Sequence, residues 1–183
     1  MHRDFAEVMA QAERLVTDLS EAQLNWSPAP GVWSIAQCLD HLAITVEQYR
    51  TALEAAVERG RERAAAADAA PYRPTWLGGR FVNALRPTSA RRFPAPKRFR
   101  PTARPAPGAA DRFFAQHRAL ADLIERADGA DLNRIKVRSP IMPLVRFNLG
   151  DALTLQVVHA QRRLAQARRV REHAEFPQAE SKR

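Results

Sequence analysis

The sequence predicts an all-α fold, a four-helix bundle, and three observations lead there. Four segments repeat apolar residues at steps of three and four, the period of a helix with one buried face. No segment shows convincing strand alternation. Eight of the thirteen prolines fall between residues 69 and 110, so the chain-breaking residues gather in one connector between the second and third helical segments. Helical stripes without a sheet to cover must bury one another, which is the logic of a bundle. A chain of 183 residues suits a single domain spanning 1–183, with residues 69–110 as a connector inside it.

The first helix is expected from Asp4 to Leu19, where Phe5, Val8, Met9, Ala12, Leu15, Val16 and Leu19 share one face. Pro28, Pro30 and Gly31 then force a turn. Ser34 reads as the N-cap of the second helix, and Gln37, three residues on, completes a capping box. Trp33 and Cys38 stand at hydrophobic-staple positions around that cap. From Ile35 to about Arg63, the stripe Ile35, Cys38, Leu39, Leu42, Val46, Tyr49, Leu53 and Val57 marks the buried face, with His41 at its margin. Trp26 and Trp33 read as clamps for the turn, and Cys38 as a small buried apolar residue. Asp40, next to His41, points to another side of the helix and does not orient its ring.

The connector excludes long helices and central strands, with room for a short helix at Thr75–Leu85 led by Trp76. A connector of this length is expected to be functional or partly disordered. The third helix follows from Ala109 to Ala127, with Phe113, Phe114, His117, Leu120, Ala121 and Ile124 inward. His117, in mid-stripe, reads first as a core histidine. Ser139–Leu144 is extended or turn. Asn148 caps the fourth helix, Asp151 sits three residues inside it, and the helix runs to about His173. Its inward face carries Leu149, Leu153, Gln156, Ala160, Arg163, Leu164, Ala167 and Val170. Arg163 thus falls where an apolar residue is expected.

The formal net charge is +9. Between Ala69 and Ala110 there are nine cations, including Arg91, Arg92, Lys97, Arg98 and Arg100, and no acid, so the connector alone accounts for the excess. A solvated basic loop is the plain reading, and phosphate or acidic-partner binding the functional one. Only Phe93 and Phe99 interleave these cations, too thin a set for single-strand stacking. One cysteine excludes an intramolecular disulfide framework. No signal-peptide pattern opens the chain and no run of eighteen apolar residues occurs, so a soluble cytoplasmic protein without membrane contact is expected.

Trp26–Leu42 and His159–Gln166 resemble the DinB-like family of four-helix-bundle proteins. Members carry a histidine followed by leucine on the second helix, then an H-x-x-x-H run followed by glutamine on the last. The resemblance implies a divalent metal (zinc, nickel or iron) held by three histidines, thiol-dependent transferase or isomerase chemistry, and a homodimer. His41 and His159 match two ligand positions and Gln166 the trailing glutamine. Arg163 takes the third. A guanidinium has donors only and stays charged, so it does not ligate a cation.

Three functions are therefore carried forward. The first is a degenerate His–His–Arg pocket, with Gln156 and Gln166 nearby, that binds a small or anionic ligand without a metal cofactor. The second is a divalent-metal-dependent thiol transferase or hydrolase using His41, His159 and a substitute ligand such as His117. The third is an interaction protein whose basic connector binds nucleic acid or an acidic partner.

Overall fold

A computed structural model describes residues 1–66, 70–91, 93–105 and 107–178. Arg92, one of the expected basic positions, lies outside the described residues. Among them are six α-helices: α1 His2–Val16, α2 Glu21–Asn25, α3 Ile35–Ala66, α4 Trp76–Leu85, α5 Ala109–Arg126 and α6 Leu149–Arg171. The four expected bundle helices are α1, α3, α5 and α6. α3 packs on α5 and α6, and α1 on the same two helices. Their buried faces form one apolar cluster, from Phe5 and Val8 through Leu39, Leu53, Phe113 and Leu120 to Leu153 and Leu164.

The helix start at Ser34 forms as expected. The Gln37 backbone N–H donates to Ser34 Oγ at 3.1 Å, and the Ser34 N–H donates to Gln37 Oε1 at 3.0 Å. Asn148 Oδ1 accepts from the Asp151 N–H at 2.6 Å, closing the first turn of α6. Thr75 caps α4, so the short connector helix begins one residue later than its predicted start.

Three features correct the expectation. α2 is an additional helix, capped by the Ser20–Gln23 capping box. α1 ends at Val16, where Thr17 takes an extended conformation, rather than running to Leu19. The 129–148 link holds a small antiparallel ribbon, β1 Lys136–Arg138 against β2 Arg146–Asn148. Three residues per strand are too few to display a period-two pattern, and Val137 and Phe147 reach the core from this ribbon.

Two buried carboxylates fasten the connector to the bundle. Asp40, on α3, accepts from the Thr102 N–H and Oγ1 at 3.0 and 2.8 Å, and from Arg112 at 2.9 Å. Asp151, fully buried on α6, accepts from Tyr72 Oη at 2.8 Å and Thr75 Oγ1 at 2.6 Å. Backbone fits closely around this second latch: a Cβ on Gly78 would stand 2.1 Å from the Asp151 carboxylate, and one on Gly150 would stand 2.3 Å from the Tyr72 ring. Replacing Asp151 by alanine strands those donors and removes an acid from the α6 N-terminus. Urea denaturation of Asp151→Ala is expected to show a loss of about 3 kcal/mol. A change below about 0.5 kcal/mol, typical of a surface site, would show that the latch does not hold the connector.

Candidate functional site

Two helices and the turn before α3 bring four side chains together. His41 lies two turns into α3, oriented by the capping box at Ser34. His159 and Arg163 are one turn apart on α6 and share a face. Trp33 comes from the turn ahead of α3. Its ring lies 4.9 Å from the His41 ring and 4.6 Å from the Arg163 guanidinium carbon. Trp33 is thus a site residue as well as a turn residue, held by a cation–π contact. Trp26 instead packs on Phe176 near the C-terminus, at 5.5 Å.

The protons of this cluster are constrained. His41 Nδ1–H donates to the Phe99 carbonyl at 2.5 Å, which leaves a lone pair on His41 Nε2. Phe99 is placed there by the connector, three residues before Thr102 and its Asp40 latch. His41 Nε2 and His159 Nε2 are 3.1 Å apart. Arg163 Nε also approaches His159 Nε2, at 3.4 Å. One nitrogen cannot both donate to His41 and accept from Arg163. The shorter contact is satisfied only with the proton on His159 Nε2, and Arg163 Nε–H then lacks its acceptor. Nη1 of Arg163 donates to Gln166 Oε1 at 2.8 Å. No carboxylate lies within 4.0 Å of this guanidinium among the described residues.

Both histidines are kept neutral. Burial pushes the His41 pKa down to about 4, assisted by the Arg163 charge and opposed by the Phe99 carbonyl and Asp40. Desolvation also pushes His159 well below the ordinary range, with the His41 and Arg163 charges acting in the same direction. The Cys38 thiol, fully buried, is pushed up to about 12 by desolvation, the state of an inert core residue rather than a nucleophile.

His117 makes no hydrogen bond to either of these histidines, although a charge on it is felt at His159. Its Nδ1 donates to Phe113 O at 3.0 Å, and its ring stacks on Phe113 at 4.0 Å. Among the described residues no group of three or more His, Cys, Asp or Glu side chains is placed to hold a metal ion. The two imidazole nitrogens have the separation that two metal–nitrogen bonds of about 2.1 Å would allow. The third position is a fixed positive charge. At about 4 Å and an effective dielectric of about 20, each unit charge on the ion costs about 4 kcal/mol, or about three decades of affinity. The donor set therefore does not fit a resident divalent metal.

Beside this cluster lies a cavity of about 900 Å³, lined by His159, Arg162, Arg163, Gln166 and Arg169 on α6 and by His173 just beyond it. Pro28 and Val32 form one further wall, and Leu85, the run from Pro87 to Ala90 and Phe93 form another. Among the described residues, three arginines and no acidic residue line it. Gln156 does not; it is buried on the inner face of α6, upstream of His159. Arg162 donates from Nη1 to the carbonyls of Arg86 and Ser89, at 2.9 and 3.2 Å, and from Nη2 to that of Arg91, so it ties the connector down as the cavity wall. Arg162, Gln166, Arg169 and His173 follow one another at steps of three and four. The first three lie on α6, beside the face carrying His159 and Arg163, and His173 follows two residues after the helix ends.

The other expected basic residues are placed differently. Arg91, Lys97, Arg98 and Arg100 are exposed, and none has a carboxylate within 4.0 Å among the described residues. Phe99 is buried, so of the two rings only Phe93, exposed beside the cavity, is left for stacking. No described helix is long and apolar enough to cross a membrane.

No curated protein and no solved structure matches the chain. Residues 4–167 match the DinB superfamily. With its helix order, its α3 histidine and its α6 histidine in contact, the chain belongs to the DinB superfamily.

Proposed function

We propose that this protein binds a small anionic ligand in the cavity beside Arg163, and that the guanidinium has taken over the charge a metal ion would supply. The observation that carries this reading is the state of Arg163: half-buried, facing an acid-free cavity, and without a carboxylate partner among the described residues. A guanidinium withdrawn from water needs acceptors. Gln166 supplies one, and His159 supplies another only by losing its contact with His41. A bound anion supplies the rest, which frees the His159 proton for His41. The Trp33 face and the Gln166 amide fix the fork so that little rotamer entropy is lost on binding.

Thermal unfolding with phosphate, acetate and benzoate at fixed ionic strength tests this. An anion present at about 100 times its Kd stabilises by about 2.7 kcal/mol. At least one of these salts is expected to raise the midpoint of the wild type, and none that of Arg163→Gln. Equal shifts in both proteins would contradict the reading.

A further inference from the structure

The cavity is much larger than an inorganic anion requires, and the side chains around it are of two kinds. Arg163 is its one inward guanidinium with uncommitted donors. Arg162, next along the helix, is already spent on connector carbonyls. Arg169 stands at the exposed edge. One open fork matches one singly charged planar group.

Thr88, Ser89 and Gln166 add polar groups to the wall, and its large apolar side chains are Val32 from the turn before α3, Leu85 and Phe93 from the connector, and Val170 from α6. Val32 is 40% exposed and Phe93 44% exposed. They are two of only five large apolar side chains exposed to 40% or more among the described residues. They come from segments about sixty residues apart, yet face the same cavity. Ligand sites of about 300–1,000 Å³ are commonly apolar, with a few polar groups that fix orientation. About half of this cavity's wall is apolar, and its polar half includes the Arg163 guanidinium beside His159.

We infer that the ligand is an amphiphilic monocarboxylate, its carboxylate on the Arg163 fork and its hydrocarbon or aromatic tail against Val32, Leu85 and Phe93. This rests on the anion site proposed above and adds the class of molecule. In solution the tail covers the two exposed apolar side chains, and the carboxylate takes the N–H groups of Arg163 that Gln166 and His159 leave open.

Calorimetric titration of the full chain with octanoate, acetate, inorganic phosphate and the neutral isostere octanamide tests this. Octanoate is expected to bind at least about tenfold more tightly than acetate, phosphate or octanamide. Arg163→Gln is expected to bring octanoate down to the level of octanamide. Phe93→Ser, at an exposed position that leaves the core intact, is expected to narrow the gap between octanoate and acetate without weakening acetate. Acetate or phosphate binding as tightly as octanoate, and lost in Arg163→Gln, would overturn the amphiphilic class and leave the anion site standing. Octanoate binding that ignores Arg163→Gln would overturn the inference by showing adsorption to apolar surface alone. Binding by none of the probes would remove the anion site and this inference together.

Discussion

Stability is expected to fall steeply as the pH drops below about 6.5, before most carboxylates titrate. His41 and His117 are 3% and 1% exposed, and both have folded pKa values of about 4. The cause is the same in each: the imidazolium is poorly solvated in the bundle, and one backbone carbonyl offsets only part of that cost. The unfolded chain protonates near pH 6.5, so between about 6.5 and about 4 it binds more protons than the native state. Stability is therefore fully present above the unfolded pKa and is lost as the pH falls toward the folded one. At about pH 5 the two residues together cost about 4 kcal/mol relative to about pH 7.5, at about 1.4 kcal/mol per pH unit per group. His159 acts in the same direction. Urea midpoints across this range measure the slope. His117→Phe, which keeps an aromatic ring on Phe113, is expected to flatten it by one group's share. A midpoint unchanged from about pH 7.5 to about pH 5 would show that these histidines are not held neutral by burial.

Arg163→His is expected to turn the chain into a zinc protein. Most of the site is already in place. His41 and His159 present Nε2 atoms 3.1 Å apart, and the Phe99 carbonyl fixes the His41 tautomer from behind. That is the outer-shell support a ligating imidazole uses. Position 163 lies one helical turn from His159, so a histidine there adds a third nitrogen to the same face. It also removes the charge that opposes a cation. Zinc affinity is expected to rise by at least about two to three decades over the wild type, the scale set by the repulsion. Equilibrium dialysis of Arg163→His beside Arg163→Gln separates the gain of a ligand from the loss of a charge. Equal zinc binding by the two variants would show that the third donor does not reach the ion.

Much of this was legible in the sequence because it is local. The Ser34–Gln37 box, the Asn148 cap and the four apolar stripes are set by neighbours within a turn or two, and each appears where the spacing places it. The parts that escaped depend on partners far along the chain. The ribbon at Lys136–Asn148 is too short to show a period, and α2 is a single turn. Arg163 could be identified as the departure from a three-histidine pattern, but its shelf on Trp33 depends on how the turn before α3 meets α6. Phe99 contributes a backbone carbonyl, which no side-chain pattern reveals. Arg162 and Arg169 left a trace, a stripe with Gln166 on α6 that continues to His173 beyond its end. The apolar stripe beside it is the stronger signal and hides it.

Zinc content of the wild-type chain, measured by elemental analysis after equilibration with zinc and removal of the free ion, tests the central claim most directly. A guanidinium in place of the third ligand predicts far less than one ion per chain, with the Arg163→His variant near one. About one ion per wild-type chain, lost in His41→Ala or His159→Ala, would contradict it and show a metal held in spite of Arg163.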